Sequence, residues 1–313
     1  MTSKFLKTYD FNFSRFRHGK KKGVAKLICP IDGFKAVAVV DKDWMESIQV
    51  DFKSDVCMET GEIYRKEINR SNIRRYTIKH RGAFENYNLK LLEIEKIDKL
   101  TGRQSTEFKL WISGSFHKSS QRNNSKGFFV HELKRELLKL SENLKIELTN
   151  IEVKNIEFGF NIELEDSPSI FIENIKSYRR RVFYDMGVKN GRVIGKCCAL
   201  SEYRIKLYDK GLQSNSGFRR LRFEVKIIKM RKLACRYKRK AIFLSDLLDN
   251  KLLFEMKWML IELGKKLTWD ASLNDQRPIR FNQLPKDNKV KLLLQKIVLL
   301  AFGKNKFPIK IKA

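Results

Sequence analysis

The stretch Val153-Lys-Asn-Ile-Glu-Phe-Gly-Phe-Asn-Ile-Glu-Leu164 alternates strictly. Ile156, Phe158, Phe160 and Ile162 fall on one side of an extended chain, and Asn155, Glu157, Gly159, Asn161 and Glu163 on the other. That period of two predicts a strand with one face in an apolar core and one face polar.

Upstream, from Ile28 to Ser115, the pattern again favours strands. Ala36 to Val40 is a short apolar run, and Tyr76 to His80 and Glu107 to Ser113 alternate. Val130 to Leu144 changes period: Val130, Leu133, Leu137, Leu138 and Leu140 recur at helical spacing with charges opposite, which predicts an amphipathic helix. A short helix is expected over Ser167 to Lys176, with Ser167 as cap and Pro168 in its first position. Arg192 to Asp209 and Arg219 to Lys229 read as strands joined through the Gly211 to Gly217 loop. Phe243 to Lys266 and Asn288 to Phe302 are dense in Leu, Ile and Met, which predicts helices. The expected fold is α+β: an antiparallel sheet core flanked by helices, with a helical C-terminal subdomain. The expected divisions are a basic N-terminal arm over 1–26, an α+β domain over 27–240 and the helical part over 241–313.

Among 313 residues, 66 lysines and arginines face 36 acids, a net charge of +30 that points to a polyanionic partner. Between Lys176 and Lys240 the acids are Asp185, Glu202, Asp209 and Glu224, amid dense lysine and arginine. Strand spacing puts Arg204, Lys206, Lys210, Arg220, Arg222 and Lys226 on a sheet, and Arg179, Arg180 and Arg181 form a further cationic run. A solvated basic face is the plain alternative; the density of the stripe favours phosphate binding. Ile297 to Gly303, the longest uncharged apolar stretch, is too short to span a bilayer, so no membrane partner is expected. The N-terminus has no signal-peptide pattern, and five cysteines form no CxxC, so a reduced, cytoplasmic protein is expected. No GxGxxG or Walker A sequence is present.

Three segments hold the polar groups with chemical potential: Asn155 to Glu163, Tyr203-Arg-Ile-Lys-Leu-Tyr-Asp-Lys-Gly211, and Arg220-Leu-Arg-Phe-Glu-Val-Lys226. With Gly114-Ser-Phe-His-Lys118 upstream, their order and spacing over Trp111 to Lys232 resemble rolling-circle replication initiators of plasmids and single-stranded DNA phages. That resemblance implies a small antiparallel sheet flanked by helices. It implies an enzyme that nicks and joins DNA through a tyrosine joined to the 5′ phosphate, with a divalent metal polarising the scissile group. It implies Tyr208 as nucleophile, Lys210 as the accompanying base, and Glu157, Asp209 and Glu224 as ligands of Mg²⁺ or Mn²⁺. Asn161 stands where the family has a second acid, a possible neutral ligand. His117 and Lys118 would contact DNA. The partners implied are single-stranded DNA or an origin hairpin, and host replication machinery. The chain has no His-hydrophobe-His pair, so it would match the branch that binds metal through carboxylates.

Other readings of the same residues stand beside these. Tyr208 also fits an ordinary strand tyrosine, with Tyr178, Tyr184 and Tyr203 as other nucleophile candidates. Glu157 and Glu224 also fit ion-pair partners of neighbouring cations. Tyr208 and Asp209, adjacent in a strand, point to opposite faces, so both can act only if the strand ends there. The competing function is a non-enzymatic nucleic-acid-binding protein with the same sheet and basic face.

Overall fold

A computed structural model describes residues 29–70, 72–121, 128–164, 167–272 and 275–280. The expected N-terminal arm and the expected helix over Asn288 to Phe302 lie outside them. Six strands come first: β1 (Ile31–Val40), β2 (Lys53–Ser54), β3 (Arg65–Asn69), β4 (Ile73–Phe84), β5 (Tyr87–Asp98) and β6 (Gln104–Ser115), with helix α1 (Lys42–Ser47) after β1. Helices α2 (Phe116–Gln121) and α3 (Val130–Leu144) lead to β7 (Glu152–Glu163) and α4 (Pro168–Asn174). Short strands follow: β8 (Ile175–Tyr178), β9 (Arg181–Val182), β10 (Tyr184–Asp185), β11 (Val188–Lys189) and β12 (Arg192–Val193). The chain then forms β13 (Gly195–Ala199), β14 (Tyr203–Asp209), α5 (Lys210–Ser214), β15 (Arg220–Ile227), α6 (Arg231–Arg236), α7 (Asn250–Gly264), β16 (Leu267–Ser272) and β17 (Asp275–Arg280).

The α+β architecture is as expected. One large sheet runs in the order β10-β13-β14-β15-β7-β1-β6-β5-β4-β2, with β3 on the side of β4. Its long pairings are antiparallel. Val153, Ile156, Phe158, Phe160 and Ile162 of β7 are fully buried, together with Leu221, Phe223 and Val225 of β15 and Ile205 and Leu207 of β14. They share one core with Leu133, Leu137 and Leu140 of α3 and Leu252, Met256 and Leu260 of α7. Burying an apolar side chain of this size is worth about 1.5–3 kcal/mol each, so this layer dominates the stabilisation.

Local signals act where they were read. α3 occupies Val130–Leu144; Glu132 accepts from the Phe129 amide at 2.8 Å at its start, and Lys145 in the left-handed conformation ends it. Ser167 caps α4 and Pro168 opens it. Two expectations are modified. Arg192 to Asp209 is not one strand: the chain reverses at Leu200 to Glu202, so that β13 and β14 pair with each other. Phe243 to Lys266 is a 3-10 turn followed by α7, which starts where the Asp249 carboxylate accepts from the Lys251 amide. After α7 the chain returns to strand, and β16 joins β17 and β8 in a second sheet. The residues after Lys240 therefore contribute both helix and strand. Among the described residues, no helix is long and apolar enough to cross a membrane.

Candidate functional site

Cross-strand register assembles the site on the face of β14, β15 and β7 opposite the core. Tyr208 lies beside Arg222, and Arg222 beside Asn161; Lys206 lies beside Glu224, and Glu224 beside Gly159; Arg204 lies beside Lys226, and Lys226 beside Glu157. The three polar segments, far apart in sequence, thus meet side by side.

Two glycines make the space. A Cβ on Gly195, opposite Tyr208, would lie 2.2 Å from the Tyr208 Cβ, and one on Gly159 would lie 2.8 Å from the Glu224 Cα. Each glycine therefore lets a neighbouring strand approach where a larger side chain sits.

Arg222 is the hub. Its Nε donates to Glu224 Oε2 at 2.8 Å, its Nη1 to Asn161 Oδ1 at 2.9 Å and its Nη2 to Asp32 Oδ2 at 2.9 Å. Lys206 donates to Glu224 Oε1 at 2.8 Å and to Glu157 Oε2 at 3.5 Å, and Lys226 donates to Glu157 Oε1 at 2.5 Å. The result is a chain of alternating charge: Asp32, Arg222, Glu224, Lys206, Glu157, Lys226. Asp32 was not singled out in the sequence. It sits between two core residues, Ile31 and Phe34, where β1 slips register against β7, and Ser115 donates to its other oxygen at 2.8 Å. Its signal was a carboxylate at the start of a strand dominated by apolar residues, which marks a residue needing a buried partner.

Burial sets the electrostatics. Arg222 is 3% and Glu224 2% exposed. Burial pushes the Glu224 pKa up, but Arg222 and Lys206 prevail and hold its carboxyl well below the usual range. Burial works against the Lys206 ammonium too, and Glu224 and Glu157 reverse it, so its pKa lies above the ordinary value. Tyr208 is 5% exposed and its hydroxyl donates to Glu224 Oε2 at 3.1 Å. Burial, joined by Glu224 and Asp32, raises its pKa despite Arg222.

Asp209 is elsewhere. The strand ends at this residue, and its carboxylate accepts from the Leu212 amide at 2.8 Å as the N-cap of α5, on the side away from Tyr208. Glu157 and Glu224 come together, but across Lys206, and Asp209 does not join them. Both Glu224 oxygens are taken by cationic and hydroxyl donors. Among the described residues, no three His, Cys, Asp or Glu side chains gather in a way that would hold a metal ion. The expected set Glu157, Asp209 and Glu224 therefore does not fit Mg²⁺ or Mn²⁺ in this arrangement, because lysine and arginine already supply the positive charge.

The remaining candidates surround this cluster or lie apart from it. Lys210 is buried, donates to Gln213 Oε1 at 2.9 Å and lies 5.9 Å over the Tyr208 ring. Burial first, and then the charge of Arg222, lower its pKa, with Lys118 adding to the effect. His117 is buried against Phe128, with ring centroids 5.0 Å apart, and its pKa is lowered by burial against the opposing charge of Asp32. The Gly114 to Lys118 segment thus reaches the same region. Arg220 pairs with Glu163 at 2.7 Å. Arg179 and Arg180 form the two-residue turn between β8 and β9, both in the left-handed region at φ 48° and 67°. Glycine and asparagine favour that turn, so two arginines there are held under local strain at an exposed tip. Arg181 begins β9, and all three belong to the second sheet. The Tyr178 and Tyr203 hydroxyls meet at 2.9 Å in the core. Tyr184 is different: it is 51% exposed, in a row with Cys197 and Lys206 on the polar face.

No protein-family profile matches the chain. No curated protein matches it. Among solved structures, one that matches in a structure comparison is that of the rolling circle replication initiator protein from Geobacillus stearothermophilus. It is 10% identical, the alignment covers 85% of this chain and 95% of that one, and the TM-score is 0.38. A likeness at that level carries no argument about function.

Proposed function

We propose that the chain binds DNA as a replication initiator of the rolling-circle type, holding phosphates around the polar face of β14, β15 and β7. The observation that supports this is the meeting of segments Gly114 to Lys118, Asn155 to Glu163, Tyr203 to Gly211 and Arg220 to Lys226 at Arg222. The alternating cluster is neutral within itself and orders the face. Cations on its rim, Arg204 and Lys118, and the arginine tip at Arg179 to Arg181 supply attraction for a polyanion.

Strand cleavage by Tyr208 needs an accessible hydroxyl, and here the hydroxyl is buried and bonded to Glu224. That observation favours a second reading, a DNA-binding protein in which Tyr208 is structural. Incubation with single-stranded oligonucleotides and Mn²⁺, followed by denaturing electrophoresis, separates the two. An SDS-resistant adduct that disappears in Tyr208→Phe with unchanged affinity makes Tyr208 the nucleophile. Absence of any adduct leaves the binding protein. Affinity itself is expected to fall by about 10³ or more between 50 and 200 mM salt if six or more phosphates are contacted. A flat salt dependence would sink both.

A further inference from the structure

The polar face continues past the cluster onto β6, β5, β4 and β2. Register there sets three cations directly beside one another, Lys53 next to Arg81 and Arg81 next to Lys90. Trp111 follows Lys90 in the same row, and the Lys35 ammonium lies 4.8 Å over the Trp111 ring. Lys35, Lys53 and Arg81 are exposed. Asp55 is the carboxylate that answers this row, and it is shared by Lys79 at 2.6 Å and Arg81 at 2.7 Å. Like charges directly opposite each other destabilise a sheet. Lys90 bears the consequence: burial and then the charges of Lys79, Lys35 and Arg81 lower its pKa.

From this we infer that the β2–β4–β5–β6–β1 face is a second nucleic-acid surface, which takes the phosphate backbone of a DNA duplex or hairpin stem. The strands that carry the row stand about 4.8 Å apart, so its cations fall in one line across the sheet, against phosphates with a rise of about 3.4 Å along each DNA strand. Single-strand binding without sequence preference relies on open aromatic platforms on which bases stack. Here Trp111 is half-buried with Lys35 across its ring, so the surface offers charge and not stacking. The candidate site at Arg222 centres on β14, β15 and β7 and shares β1 through Asp32, and this inference rests on the DNA-binding reading of that site.

The test uses the full chain with Lys53→Gln, Arg81→Gln and Lys90→Gln combined, against a blunt DNA hairpin and an unstructured single-stranded oligonucleotide. Hairpin affinity should fall at least tenfold near 100 mM salt, and its log–log salt slope should lose about 3 units. Single-strand affinity should stay within about twofold, and Lys53→Arg with Lys90→Arg should keep hairpin binding. Unchanged hairpin affinity, or equal loss for both DNAs, overturns the inference. So does loss confined to phosphatidylserine vesicles, which would make the face a lipid surface. A parent that binds the single strand but no hairpin overturns this inference alone; a parent that binds neither overturns the proposed function as well.

Discussion

The two ends of the polar face use the same residue types for different ends. Around Arg222, three carboxylates answer three cations, and Arg222, Glu224 and Tyr208 are almost wholly buried. Around Lys90, Asp55 is the one carboxylate among the described residues that answers the Lys53–Arg81–Lys90 row, and most of the side chains reach solvent. The difference lies in solvent. A buried charge must be matched within the fold, so the first group is bound into the protein's stability. An exposed charge is satisfied by water until a polyanion replaces the water, so the second group is available for binding.

Changes at the buried end should have the largest effect. Arg222→Ala removes one partner from Asp32, Glu224 and Asn161 together, and breaking a buried pair in this way costs about 3–5 kcal/mol. Urea unfolding measures it; a loss below about 1 kcal/mol would place the cluster with ordinary surface pairs.

The same end should also govern acid stability. The Glu224 carboxyl has a folded pKa below its unfolded value of about 4.3. Its contribution is therefore complete above that value and is lost as the pH falls toward and through the folded one. Melting temperature should decline below about pH 4.3, and the decline should be shallower in Glu224→Gln, whose stability is already reduced at neutral pH. An equally steep decline in that variant would assign acid lability to other carboxylates.

Tyr208→Phe is a smaller perturbation. It removes one hydrogen bond to a carboxylate that keeps Arg222 and Lys206, a loss of about 1.5–3 kcal/mol by thermal or urea unfolding. At the open end, Arg81→Gln should leave the melting temperature unchanged, since the side chain is 66% exposed and its pair with Asp55 is solvated. A drop comparable to that of Arg222→Ala would erase the distinction between the two ends.

Much of the framework was legible because it depends on local period and local caps. The alternation of β7 and the leucine spacing of α3 predicted both elements with their faces, and Ser167-Pro168 marked the start of α4. Glu157, Lys206, Arg222, Glu224 and Lys226 were legible as members of one polar face for the same reason. Their partners were not. The charge density of Lys176 to Lys240 drew attention to that window, whereas Asp32 and the Lys53–Arg81–Lys90 row lie outside it.

The sequence by itself determined which residues face inward and which outward along each strand and helix, because that follows from backbone periods of 2 and 3.6 within one segment. Only the tertiary structure decided who stands next to whom. Strand order and register placed Asp32 against Arg222, set Lys206 between two glutamates in place of a metal, turned Asp209 into a helix cap and lined up three cations at the far end. Those neighbours come from different strands, and pairing energies depend on cross-strand distance and on solvent exclusion, neither of which is encoded within any one stretch of chain.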